Sequence, residues 1–125
     1  MASNRASTTS VTASPRPFIS SRTSQRYDLW HDCAVFHFLT TPKQRDRYRA
    51  TLRNALARNG GVVIGTFASD GPLTCSGLPV ARYDAPDLAH ALGDGFTVVA
   101  DAREIHVTPN GAAQPFTWLA LRRSG

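Results

Sequence analysis

The sequence predicts an α/β fold with parallel strands and a closing antiparallel hairpin. Three observations lead there. Strand-like runs at residues 27–31, 62–68, 96–107 and 114–122 are interleaved with two amphipathic helical patterns. The links between the first strand, the first helix and the second strand are short, as in a parallel crossover unit. The last two strands are joined by too few residues for a crossover helix, so they pair antiparallel. With 125 residues the chain holds at most one domain of ordinary size, and no run of about 18 apolar residues is present to form a membrane span.

Tyr27-Asp28-Leu29-Trp30-His31-Asp32 alternates as a short strand does, then runs into Cys33-Ala34-Val35-Phe36-His37-Phe38-Leu39, a turn followed by a helical or irregular apolar stretch. Thr41 is placed to cap a helix, Pro42 suits its first position and Gln44 completes a capping box. Tyr48, Leu52, Ala55 and Leu56 recur at helical spacing, and Asn59-Gly60-Gly61 is expected to end the helix. Residues 62–68 lack alternation, as a strand buried on both faces does. A loop is expected from Asp70-Gly71-Pro72 to about Tyr83. Asp84 then caps a second helix with Leu88, Ala91 and Leu92 on its apolar side, and Gly93 closes it. Thr108-Pro109-Asn110-Gly111 turns the chain between the final strands. In the last one, Phe116 and Trp118 face one way and Leu119 and Leu121 largely the other.

The net charge of +5 raises the question of a nucleic-acid partner. Residues 1–26 carry four Arg and no acid, whereas the remainder carries ten Lys and Arg against nine Asp and Glu. The folded part therefore has no basic excess, and no nucleic-acid partner is expected. Seven Ser and four Thr accompany those four Arg, a composition that reads as a disordered low-complexity tail. Residues 27–125 make the folded unit. Two cysteines are too few for a disulfide scaffold, and the first 26 residues hold no apolar signal stretch, so a cytoplasmic setting is expected.

His31, Cys33 and His37, with Cys75 or His106, match no zinc-ligand spacing, and no metal site is expected. A cysteine in an apolar run, such as Cys33 near His37, reads as packing rather than as a nucleophile. His31-Asp32 stands out by position, just past the end of a parallel strand, where open α/β sheets bind ligands. The other reading of Asp32 is a cap on the following turn. Phe36 reads as core or as a stacking surface. No G-x-G-x-x-G run occurs, so the residues offer no glycine-rich nucleotide turn.

Residues 27–40, Tyr-Asp-Leu-Trp-His-Asp-Cys-Ala-Val-Phe-His-Phe-Leu-Thr, resemble the fourth-strand motif of class I S-adenosylmethionine-dependent methyltransferases. Asn59-Gly60-Gly61-Val62-Val63-Ile64-Gly65-Thr66-Phe67 is similar to the fifth strand and the turn before it. Cys75-Ser76-Gly77-Leu78-Pro79-Val80-Ala81-Arg82-Tyr83-Asp84, with Glu104-Ile105-His106-Val107-Thr108-Pro109 and Gln114-Pro115-Phe116-Thr117, is similar to one small bacterial subgroup. Cys33 departs from the family, where a basic residue is expected. The resemblance implies a partial Rossmann-like sheet, strands four to seven, with the last inserted antiparallel between five and six. It implies S-adenosylmethionine as cofactor and a small-molecule methyl acceptor. His31, Asp32 and Phe36 would line the methionine end of the cofactor, Asp32 or His37 would serve as a base, and Arg82 would border the acceptor.

The resemblance implies that strands one to three, which carry the glycine loop and the ribose acid in the family, are lacking here. Strand four is thus expected to be an open edge, and one sheet face uncovered, favouring self-association. A chain of this kind also fits a catalytically inactive truncated remnant or a non-enzymatic interaction module.

Overall fold

The computed structural model describes residues 10–15 and 26–124. In chain order the elements are β1 (Ser10–Pro15), β2 (Tyr27–Cys33), a 3₁₀ turn (Phe36–Phe38), α1 (Pro42–Ala55), β3 (Leu56–Phe67), the short pair β4 (Thr74–Cys75) and β5 (Leu78–Pro79), α2 (Ala85–Leu92), β6 (Phe96–Val107) and β7 (Ala113–Arg123). The main sheet has the order β1-β2-β3-β7-β6. β2 and β3 are parallel, and β7 runs antiparallel between β3 and β6. The expected α/β sheet with its terminal hairpin is the observed one.

Local chemistry accounts for most element ends. The capping box forms, with Thr41 Oγ1 accepting the Gln44 amide at 3.2 Å and Gln44 Oε1 accepting the Thr41 amide at 3.2 Å. Gly93 leaves α2 at φ 86°, a conformation in which a Cβ is strained. Asp84 stands at the N-cap of α2, but its carboxylate is used elsewhere, accepting from the Ser69 amide and hydroxyl at 3.2 and 2.8 Å.

Three expectations need correction. Six residues of the supposed tail, Ser10–Pro15, form β1, antiparallel to β2; the rest of residues 1–25 lie outside the described residues. The edge of β2 expected to be open is therefore paired. A row of unpaired amides and carbonyls is a template for any extended segment, a long-range effect that composition does not encode. The first helix ends at Ala55 rather than at Asn59-Gly60-Gly61, and β3 starts at once. Tyr27 pairs with Leu56 and Leu29 with Gly61, so residues 57–60 bulge out of the ladder. Gly60 is needed there because a Cβ would lie 2.7 Å from Leu56 Cδ1. Finally, the loop expected from residue 70 to 83 contains the β4–β5 ribbon, turned by Ser76 and Gly77 at φ 53° and 81°.

Both helices cover one sheet face. Leu52, Leu88 and Leu92 pack with Trp30, Leu56, Val62, Ile64, Leu119 and Leu121 in the main core. Full burial of each such side chain contributes about 1.5–3 kcal/mol. On the other face a smaller cluster, Ala34, Phe67 and Phe116, is flanked by Cys33, Cys75, Val80 and Trp118.

Arginines close the helix ends. Arg49 donates to Ala91 O at 2.8 Å, at the end of α2, and Arg53 to Asp94 O just beyond it. Arg123 donates to Arg53 O at 2.9 Å and Leu56 O at 2.6 Å, meeting carbonyls that α1 leaves without partners. Arg122 makes a single exposed bond, to Asn59 O at 3.0 Å. Arg123→Ala should therefore cost about 1–2 kcal/mol, and Arg122→Ala no more than about 0.5 kcal/mol. Denaturant unfolding of the two variants checks this, and equal costs would show that Arg123 is not a structural cap.

Candidate functional site

The alternation of β2 divides the sequence-derived site between two faces of the sheet. Trp30 and Asp32 point toward α1 and are buried, while His31 and Cys33 point to the other face and are half-buried. Ala34 follows at φ 62°, a strained conformation for a non-glycine residue, held by its amide donating to Gly65 O at 3.0 Å. The Asp32 side chain then accepts the Val35 amide at 2.9 Å, which fixes the turn into Phe36–Phe38.

Asp32 has no exposed surface. Its second oxygen accepts a short hydrogen bond from the Tyr48 hydroxyl, which itself accepts from Trp30 Nε1 at 2.9 Å. Burial pushes the Asp32 carboxyl up to about 6, against the opposing effect of its hydrogen bonds. Burial and the neighbouring carboxylate hold the Tyr48 hydroxyl far above the usual phenol range. The triad clasps the end of β2 to α1. Phe36 is also fully buried, its ring 4.9 Å from Tyr48 and 5.6 Å from Tyr83; it is core.

His37 lies fully inside the fold. Its Nδ1 accepts the Phe67 amide at 3.1 Å, so the ring proton sits on Nε2, which finds no partner among the described residues. Burial pushes its pKa down to about 4. Arg82 donates to Gly71 O at 3.0 Å, tying together the two ends of the loop that carries β4 and β5.

The other face is more accessible. His31 stacks on Trp118 with ring centroids 6.0 Å apart, and Trp118 Nε1 donates to Glu104 Oε1 at 2.8 Å. Gly65 lies beneath the indole, where a Cβ would come within 2.7 Å of the ring. Partial burial lowers the His31 pKa and keeps the imidazole neutral. Cys33 and Cys75 flank the same small cluster, and burial raises both thiols, keeping them protonated.

The structure thus brings Asp32 and Phe36 together around Tyr48, buries His37 against Phe67 instead, sets His31 apart on the face opposite Asp32, and gives Arg82 a loop-tying bond. Sequence reasoning missed Tyr48, Trp118 and Glu104. Tyr48 was legible only as part of an apolar helical stripe; a hydroxyl within such a stripe signals a polar partner beneath it.

A groove of about 560 Å³ along the helix layer is lined by Arg45, Arg49, Tyr83, Asp87 and His90. Arg49 is already committed there to the end of α2 and to Asp46.

No protein-family model and no curated sequence matches this chain. Solved structures do. A SAM-dependent methyltransferase from Methanosarcina mazei superposes with a TM-score of 0.64 at 14% identity, over 85% of this chain and 63% of that one. The fold is that of the SAM-dependent methyltransferases. Burkholderia thailandensis 1,6-didemethyltoxoflavin-N1-methyltransferase, with bound 1,6-didemethyltoxoflavin and S-adenosylhomocysteine, gives 0.64 at 23% identity, over 84% of this chain and 47% of that one. A structure concerned with the conversion of a disulfide bond into a thioacetal group during echinomycin biosynthesis gives 0.62 at 16% identity, over 79% and 49%. This chain spans about half to under two thirds of the length of these methyltransferase-fold proteins. None of its described helices is long and apolar enough to cross a membrane.

The two buried groups set a testable pH response. As pH falls through about 6, native Asp32 takes up a proton that the unfolded chain binds only near its ordinary 3.8, so this group adds stability on acidification. His37 acts oppositely: the unfolded imidazole is protonated below 6.5 but the native one only near 4, so stability is lost over that range. Each contribution amounts to about 3 kcal/mol, and they offset one another. Relative to the wild type, Asp32→Asn should lose stability between pH 6.5 and 4, and His37→Asn should gain it. Denaturant midpoints across that range read the slopes, and unchanged slopes in both variants would refute the assignment.

Proposed function

We propose that this chain serves SAM-dependent methyl transfer to a small-molecule acceptor, contributing the carboxy-terminal half of the catalytic sheet. One observation carries the reading: β7 is inserted antiparallel between β3 and β6, with β2 parallel to β3 on its other side. It is supported by the likeness to a methyltransferase that holds a small heteroaromatic acceptor and S-adenosylhomocysteine.

The described residues fit only one end of S-adenosylmethionine. His31 and the Cys33–Ala34 backbone offer a rim at the end of β2, whereas Asp32 and Phe36 are sealed beneath it. The described residues hold no glycine-rich turn for the rest of the cofactor. What this chain contributes is position, which governs a transfer that depends on in-line placement of donor and acceptor. The Asp32–Tyr48–Trp30 clasp holds the rim rigid, and the Arg82–Gly71 tie shapes the loop proposed to border the acceptor. His31, neutral and half-exposed, is the side chain proposed to touch the cofactor. Asp32 and His37 are positioning residues in this reading rather than a base.

A second reading, a non-catalytic half-sheet, is favoured by β1, which occupies the edge of β2 where the family's first strand would pair. Calorimetric titration of the purified chain with S-adenosylhomocysteine separates the two. Micromolar binding, weakened about tenfold by His31→Ala, supports the methyltransferase reading. A folded chain that gives no heat and no thermal stabilisation supports the half-sheet.

A further inference from the structure

With β1 on the β2 edge, β6 is the strand at the other end of the sheet, and among the described residues its outer side has no neighbour. Such an edge presents unpaired amides and carbonyls to any extended partner. Four of the seven exposed large apolar side chains lie on it: Val98, Val99, Ile105 and Val107, at 44%, 60%, 50% and 60% exposure. Asp101, midway along, makes no ion pair within the chain among the described residues. Arg103 spends two N–H groups on Asp70, at 3.0 and 2.7 Å, and keeps others free.

We infer that β6 pairs with β6 of a second copy of this chain, antiparallel about a two-fold axis at Ala102. In an antiparallel self-pairing, outward-pointing amides must meet outward-pointing amides, so the axis passes between one residue and its own copy. At the centre of β6 the choices are Ala100, Asp101, Ala102, Arg103 and Glu104, and Ala100 adjoins the register shift, so an axis there would set the irregular stretch against the ladder's own centre. Three of them set a charge against its own copy, which is destabilising. The axis at Ala102 sets Asp101 opposite Arg103 twice. The register shift between Val98 and Ala100 leaves the central residues 100–104 regular. Because the axis is normal to the sheet, both helix layers fall on the same side of a ten-stranded sheet, with no clash of faces.

This interface is independent of the methyltransferase reading. Sedimentation velocity on the full chain, from micromolar to submillimolar concentration, should show a dimer that dissociates on dilution. Asp101→Arg leaves the Arg103–Asp70 pair intact, places like charges opposite one another and should weaken dimerisation at least about tenfold. The double variant Asp101→Arg/Arg103→Asp restores complementarity and should restore the dimer. Ala102→Cys should cross-link two chains under oxidised glutathione, each thiol giving up its proton and glutathione being reduced, whereas Ala100→Cys, facing Glu104 of the other copy, should not. Peptide mass identifies the linked position. A monomer at every concentration, or a dimer indifferent to Asp101→Arg without the Ala102→Cys link, overturns the inference.

Discussion

Asp32 sits where three parts of the fold meet. One oxygen holds the turn after β2 and the other holds α1 through Tyr48, while the strand beneath carries the register to β3. A carboxylate in that position is costly, since burial opposes its charge, and its hydrogen bonds offset only part of the cost. The return is geometric: the end of β2 and the start of the helix layer cannot shift independently. Everything on the rim, including His31 on the opposite face, inherits its place from that fixed point.

The sheet follows the same logic of local commitments that propagate. A short crossover places β3 beside β2, and a hairpin too tight for a helix forces β7 back antiparallel. Once β7 is inserted, β6 becomes the far edge and the helices are confined to one face. Arginines tie this framework together: Arg49, Arg53, Arg122 and Arg123 all donate to backbone carbonyls.

What was legible in the sequence depended on how local the cause was. The capping box at Thr41 and Gln44, the stop at Gly93 and the terminal hairpin each rest on a few neighbouring residues, and each stands as read. The early end of α1 was not legible, because Leu56 enters the sheet through a pairing with Tyr27, 29 positions away. β1 was hidden for the same reason: its strand character comes from the edge it meets rather than from its own residues. For the site, position at the end of a strand was readable but direction was not. The period-two alternation that sends His31 and Asp32 to opposite faces was present in the sequence; what lay on each face was not.

The two tryptophans occupy contrasting surroundings. Trp30 is buried in the core and tied to Tyr48, whereas Trp118 lies on the open face against His31 and Glu104. Their fluorescence is therefore a built-in pair of optical probes, one reporting on the interior and the other on the uncovered face. A charged imidazole quenches a neighbouring indole, so the emission of Trp118 reports on His31, while that of Trp30 reports on the Asp32–Tyr48 clasp to which its Nε1 is bonded.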